Sequence, residues 1–261
     1  MLLTIDVGNS LTDLGVFDGD ILLHTFKTKS STDRSYDEYR VLFSSYLSTE
    51  AAGFSFSRII ISSVVPSLTR IWVKICRDIL HIRPLILGPG LKTGIKILTD
   101  NPSEVGTDLV ADAVGAYSKF GGNLFIADLG TANKYIYIDK DGAFCGCAIA
   151  PGLLISMNAL VNGTAALPEV SAMITRKVIG KNTSDSMNSG ILNGTSYEVL
   201  GFFESFKKET DLELKPILTG GNSFYVKDLL PSFHYEEWLL LNGLKEIDRK
   251  NSNINTELEQ L

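Results

Sequence analysis

The chain has 261 residues, 44% hydrophobic and 21% charged, which is enough for one large or two small globular domains and excludes wholesale disorder. A net charge of −6, with no run of Lys and Arg longer than two, argues against a nucleic-acid partner, which needs a basic surface to displace counterions. No stretch of 18 apolar residues is present and the first residues carry no basic leader, so a cytoplasmic protein with no membrane partner is expected.

In chain order, Leu2-Leu3-Thr4-Ile5-Asp6 reads as a strand ending in a carboxylate, and Val7-Gly8-Asn9-Ser10 as a tight turn. The apolar run Leu14-Gly15-Val16-Phe17, the Asp18-Gly19 turn and Ile21-Leu22-Leu23 then form a hairpin signal. Tyr36, Tyr39, Leu42, Phe43 and Tyr46 stand at helical spacing and predict a helix over 36–47. Residues 59–65 are a β-branched run ended by Pro66, which predicts a buried strand. A second helix is expected over 68–80, then a short strand at Leu85-Ile86-Leu87 stopped by Gly88-Pro89-Gly90. Leu109, Val110, Ala113, Val114 and Tyr117 mark one face of a third helix, closed by Gly121-Gly122.

The opening then recurs. Leu124-Phe125-Ile126-Ala127-Asp128-Leu129-Gly130-Thr131-Ala132 resembles the segment from Leu2 to Ser10 at an offset of 122, measured from Asp6 to Asp128. Tyr135-Ile136-Tyr137-Ile138, Asp141-Gly142 and Ala143-Phe144-Cys145 repeat the hairpin that follows Asp6. Further on, Met187, Ile191, Val199, Phe203 and Phe206 predict a long helix after Asn182-Thr183-Ser184, and Pro216-Ile217-Leu218 leads into Thr219-Gly220-Gly221-Asn222. The expectation is an α/β chain of two duplicated halves, residues 1–118 and 119–250, with a polar tail over 251–261. The three cysteines and three histidines are too scattered for a disulfide framework or a zinc site, and the Cys145-Gly146-Cys147 pair lacks a second pair of ligands.

A strand that ends in Asp and turns on Gly sets a carboxylate beside backbone N–H groups, a place for a cation and for phosphate oxygens. Asn9, Ser10, Thr12 and Thr131 add neutral donors to the two turns. One such turn is an ordinary capping device; two in a duplicated chain point to a nucleotide triphosphate and its metal. The glycine pair at 220–221 is either a loop or a place for a flat base or a phosphate to approach. At Gly106-Thr107-Asp108, Asp108 is either a general base or simply an acidic residue in the first turn of a helix.

An ordered set of segments resembles the type III pantothenate kinases, also called Bvg accessory factor-like proteins. They are Asp6-Val7-Gly8-Asn9-Ser10, Ser62-Ser63-Val64-Val65-Pro66, Gly88-Pro89-Gly90, Lys92-Thr93-Gly94, Asp100-Asn101-Pro102 and Glu104-Val105-Gly106-Thr107-Asp108. Asp128-Leu129-Gly130-Thr131-Ala132, Ala150-Pro151-Gly152, Ala165-Ala166-Leu167-Pro168, Gly180-Lys181-Asn182-Thr183, Thr219-Gly220-Gly221 and Leu241-Asn242-Gly243-Leu244 follow in family order. The resemblance implies two actin-like (ribonuclease H-like) domains with an ATP cleft between them, a homodimer, and ATP-dependent phosphorylation of pantothenate to 4′-phosphopantothenate. It assigns ATP binding to Asp6, Val7, Gly8, Asn9, Ser10, Leu11, Thr12, Asp13 and Thr131, and catalysis to Asp108 as proton acceptor. Substrate binding falls to Gly106, Thr107, Asp108, Leu109 and, from a dimer partner, Thr183. Asp128 would hold a monovalent cation, potassium or ammonium, and Asp6 would stand near Mg²⁺.

The chain departs from the family pattern at several of these places. Leu109 replaces the arginine that usually follows the catalytic Asp and helps hold an anionic substrate, and Leu donates no hydrogen bond. Thr99 replaces a tyrosine, Gly146-Cys147 a glycine pair, and Asn133-Lys134 a pair of threonines. Lys134 could supply positive charge to pantothenate, stand in for the monovalent cation near Asp128, or face solvent at the start of a strand. The altered acceptor side leaves two alternatives to pantothenate phosphorylation: a kinase of the same fold for another small hydroxylated acceptor, or a nucleotide-binding regulatory protein without turnover.

Overall fold

The computed structural model describes residues 1–174 and 177–252, so most of the 251–261 tail lies outside the described residues. The chain forms two compact units. The first comprises Met1–Ile95, Asn101–Ser118 and the segment from Leu240 onward; the second comprises Lys96–Asp100 and Lys119–Leu239.

In the first unit, β1 (Leu2–Val7), β2 (Leu11–Asp18) and β3 (Ile21–Lys29) form an antiparallel meander. The Asp18-Gly19 turn closes its second hairpin with Gly19 at φ 56°, a left-handed conformation that glycine adopts without steric cost. After α1 (Tyr36–Thr49) the chain returns as β4 (Arg58–Ser63), parallel to β1; after α2 (Pro66–Leu80) it returns as β5 (Leu85–Ile86), parallel to β4. The sheet order is β3-β2-β1-β4-β5. Leu3, Ile5, Val7, Ile59 and Ile61 are buried among Tyr39 and Phe43 of α1 and Leu68, Trp72, Ile75 and Cys76 of α2. The Trp72 ring lies 5.7 Å from those of both Tyr39 and Phe43, edge-on to the latter. Burial pushes the Cys76 thiol up to about 12, so it packs as a small apolar group and offers no thiolate at neutral pH.

Two helices complete this unit, α3 (Thr107–Phe120) and a terminal helix that the second half was expected to hold. That terminal helix, Leu239–Lys250, packs from Leu240 onward with the first unit, because Gly243 lets its backbone meet the carbonyl of Ala111 and its apolar stripe is buried there. Leu241, Leu244 and Ile247 are at most 2% exposed.

The second unit repeats the plan: β6 (Leu124–Leu129), β7 (Ala132–Ile138) and β8 (Phe144–Pro151) form the meander. Next come α4 (Leu153–Gly163), the long α5 (Thr183–Thr210), β9 (Lys215–Thr219) parallel to β6, and β10 (His234–Tyr235) parallel to β9. In chain order the terminal helix, Leu239–Lys250, is then α6. The sheet order β10-β9-β6-β7-β8 is that of the first sheet written from the other edge. Each meander also carries a register shift just before its Asp-Gly turn, at Val16/Phe17 and at Tyr137/Ile138, so the duplication extends to an irregularity. Aromatic rings fill the core: Phe125, Phe203, Phe206 and Phe233 cluster, and Phe202 stacks on Tyr135 at 4.4 Å. Burial and the Glu198 carboxylate, which accepts from the Tyr135 hydroxyl at 2.7 Å, hold that phenol well above its ordinary range.

Candidate active site

In the first unit the site residues gather where the parallel strands β1 and β4 end, the edge at which α/β sheets bind ligands. Asp6 lies opposite Ser62 of β4 on one side and Asp13 of β2 on the other. The Gly8 N–H donates to the Leu11 carbonyl at 3.0 Å, and a Cβ at Gly8 would crowd that same oxygen, so glycine keeps the turn tight. Asn9 and Ser10 are exposed at its tip, as a phosphate-facing turn requires. Val7 and Thr12 are buried: Val7 contributes main chain only, and the Thr12 hydroxyl is 2.8 Å from that of Ser30, inside the hairpin.

Asp108 reaches the same edge by another route. Thr107, first residue of α3, donates from its hydroxyl to the Ser63 carbonyl at 3.2 Å and lies 3.1 Å from the Ser62 hydroxyl. The start of α3 is thereby tied to the end of β4, beside Asp6 on β1. The Asp108 carboxylate accepts from the Leu109 N–H at 2.9 Å, and a side chain at Gly106 would collide with it, so glycine clears the space it occupies. Leu109 is 6% exposed, and its apolar side chain offers no hydrogen bond to an anionic substrate.

In the second unit three sequence motifs converge on the Asp128 turn. The Gly130 N–H donates to the Ala132 carbonyl, leaving Thr131 exposed at the tip. Asn222 clamps the turn from behind: its N–H donates to the Leu129 carbonyl at 2.8 Å and its side-chain amide to the Gly130 carbonyl at 2.7 Å. Gly152, just after β8, has its backbone against the Thr131 carbonyl with no room for a Cβ. The glycine pair divides its labour: Gly220, at φ 93°, presses on Asp128 and Leu129, while Gly221 faces open space. Thr183 is exposed at the start of α5, capped by the Asn182 side chain, which accepts from the Asp185 N–H at 2.8 Å.

The implied cations fit unequally. Asp6 and Asp13 are directly opposed across an antiparallel pair, so both carboxylates stand on one face, and Lys27 meets Asp13 at 3.1 Å. One or two carboxylates with substrate phosphates is the usual Mg²⁺ donor set, so this turn suits it. At Asp128 the situation is reversed. Lys134 lies directly opposite it on β7, and its ammonium is 2.5 Å from the Asp128 carboxylate, with only 17% and 9% of the two side chains exposed. Of the three roles open to Lys134 in the sequence, solvent exposure is thereby removed. The sequence carried a signal for the pairing: after a short Gly turn, Asp128 and Lys134 fall at register partners of one hairpin. Among the described residues no cluster of three or more His, Cys, Asp or Glu side chains could hold a metal ion, and no helix is long and apolar enough to cross a membrane.

Two mixed sheets of identical order, each with a carboxylate and a glycine turn at the end of its central strand, define an actin-like kinase fold. The sequence profile of type III pantothenate kinases matches residues 2–205. The chain is 40% identical to a type III pantothenate kinase of Geotalea daltonii over 255 residues, spanning 96% of this chain and 99% of that one. It is also 40% identical to that of Geobacillus kaustophilus over 256 residues, spanning 97% and 98%. Among solved structures, a conserved Baf family protein from Campylobacter jejuni shares the fold with a TM-score of 0.62 at 19% identity, covering 96% and 99% of the two chains. The chain belongs to the type III pantothenate kinase family. Its reaction is transfer of the terminal phosphoryl group of ATP to pantothenate, the first step of coenzyme A synthesis.

Proposed function

We propose that Asp108 is the proton acceptor of this reaction, that the turn from Asp6 to Asp13 and Thr131 bind ATP, and that Gly106 and Thr107 shape the acceptor side. The observation that carries the reading is the anchoring of α3: Thr107 is bonded to the end of β4, and Gly106 leaves room for the Asp108 carboxylate. A carboxylate fixed at a helix start beside a phosphate-binding turn can take the proton of the primary hydroxyl of pantothenate. The oxygen then forms its bond to the terminal phosphorus as the bond to the ADP oxygen breaks. The exposed tip of the turn, Asn9 and Ser10, orients phosphate oxygens, and the hydroxyl of Thr131 adds a donor. Mg²⁺ held by Asp6 and Asp13 supplies positive charge to the phosphate oxygens when bound.

Thr183 contacts pantothenate from the second protomer of a homodimer, and the enzyme works in the cytoplasm. Exposed apolar side chains around β8 and α4, among them Ile149 (66% exposed), Leu154 (47%) and Ile155 (45%), support a self-associating surface.

Asp108→Asn tests the central role. With ATP and pantothenate saturating, kcat should fall by about 10²–10⁴-fold while the affinity for ATP is retained. Full turnover by the variant would remove Asp108 from the mechanism.

A further inference from the structure

The monovalent cation that the family resemblance places at Asp128 does not fit this chain, and the misfit has a definite origin. The site is a cross-strand pair: Asp128 near the end of β6 and Lys134 near the start of β7 are register partners, so both side chains rise from the same face of the sheet. The Lys134 ammonium sits 2.5 Å from Oδ2 of Asp128. On its other side the carboxylate is backed by Gly220, whose missing Cβ leaves it just enough room. The carboxylate is therefore already neutralised, in a place where water has little access. A potassium ion arriving there would meet a like charge at contact distance and would have to displace a covalently tethered competitor. Tethering gives that competitor a high effective concentration at no translational cost.

The corresponding row in the first unit is built from different residues. There the central strand also carries a carboxylate, but its partner on the next strand is Asp13, and the lysine stands one strand further out, at Lys27. The first turn thus sets two carboxylates on one face, where the second pairs a carboxylate with an ammonium. An alkylammonium group is close to potassium and ammonium ions in charge and size, so it can present the same positive charge to the same face.

We propose that Lys134 is a built-in cation: its ammonium occupies the position of the monovalent ion on Asp128, and this kinase turns over without potassium or ammonium. The inference rests on the reading of Thr131 as an ATP contact and of Asp128 as the residue that would hold the monovalent ion. Lys134 acts as a positioning residue, holding the Asp128 turn in its charged, ordered form.

The test uses the full-length enzyme with ATP, Mg²⁺ and pantothenate saturating, in choline chloride, sodium chloride, potassium chloride and ammonium chloride at equal ionic strength. Wild-type turnover should be the same in all four. Lys134→Thr, which restores the hydroxyl residue usual in the family, should lose about tenfold or more in choline and sodium and regain it in potassium or ammonium. Lys134→Met, which keeps the length of the side chain without its charge, should show the same loss. A melting-temperature series in the four salts, without substrates, gives a readout independent of catalysis. Potassium and ammonium should raise the midpoint of Lys134→Thr above that in choline and leave wild type unmoved. Potassium-dependent turnover or potassium-dependent melting of the wild-type enzyme would overturn the proposal, as would equal turnover of Lys134→Thr in choline and potassium. If wild type fails to turn over in every salt, it is the reading of the site that fails, and the melting series still decides whether Asp128 binds the ion. If the variants do not fold, the wild-type series alone decides.

Discussion

Gly220 and Gly221 are neighbours with opposite physical circumstances. Gly220 holds φ at 93°, and a Cβ there would fall on Oδ1 of Asp128 and on the Leu129 backbone, whereas a Cβ at Gly221 would meet nothing within 4 Å. Gly220→Ala therefore suffers twice, from left-handed backbone strain of about 1–2 kcal/mol and from displacement of the carboxylate. A shift of about 1 Å in a site held for phosphoryl transfer is worth on the order of 10²-fold in rate. The expected result is a fall in kcat/KM of that size for Gly220→Ala with a lowered melting temperature, and stability within about 0.5 kcal/mol of wild type for Gly221→Ala. Any kinetic effect of Gly221→Ala should fall on the KM for ATP, since open space is where a ligand can lie. Steady-state kinetics and thermal melts on the two variants, side by side, check both halves. A fully active Gly220→Ala enzyme would show that the Asp128 turn tolerates movement. In the sequence the pair is a single ambiguous signal; only the structure divides it into a glycine pressed against the Asp128 turn and one facing open space.

At the scale of elements, α1 shows how a local rule sets a boundary. Ser35 caps it, with the Glu38 N–H donating to the Ser35 hydroxyl at 3.3 Å and the Ser35 N–H donating to the Glu38 carboxylate at 2.7 Å. This reciprocal pair satisfies two N–H groups that the helix would otherwise leave open. Ser35→Ala should cost about 1 kcal/mol of unfolding free energy, read by urea denaturation, while Ser35→Asp should retain most of it; equal stability of all three would mean that water caps the helix as well. The spacing of Tyr36, Tyr39, Phe43 and Tyr46 made this helix legible, as it did α2, α3 and α5. Two helices were not. Along α4 apolar residues run nearly all round, with Leu154, Ile155 and Leu160 exposed, so no period separates an inner from an outer face. α6 is interrupted by Gly243, which reads as a breaker but is the point where two backbones touch. β3 was legible only at its start, because beyond Leu23 it alternates His, Thr and Lys with few apolar positions on a half-exposed edge.

At the scale of the whole molecule, the duplication was legible because it recurs in the order of motifs, and both sheets bear it out in strand order and in the position of their bulges. The place of the C-terminal helix was not legible, since nothing in a linear repeat says that the chain leaves the first unit and comes back to finish it. Periodicity gives the stripe of Leu241, Leu244 and Ile247, but which sheet or helix it covers is decided by shape, here by Gly243 against Ala111 of α3. That helix carries Asp108 at its start, so residues far apart in the sequence are joined in holding the segment that bears the proposed proton acceptor. Leu244, 0% exposed, is the sharpest probe of this closure. Leu244→Ala should cost about 2–5 kcal/mol, whereas Leu154→Ala, at a position 47% exposed, should stay within about 0.5 kcal/mol. The chain has two tryptophans, and in a Trp238→Phe background the emission of Trp72, 1% exposed, reports on the first unit alone. Urea titration should then show a lower midpoint for Leu244→Ala with little change in slope. If the Leu244→Ala and Leu154→Ala midpoints coincide, α6 lies on the first unit without stabilising it, and the unit folds from its N-terminal segments alone.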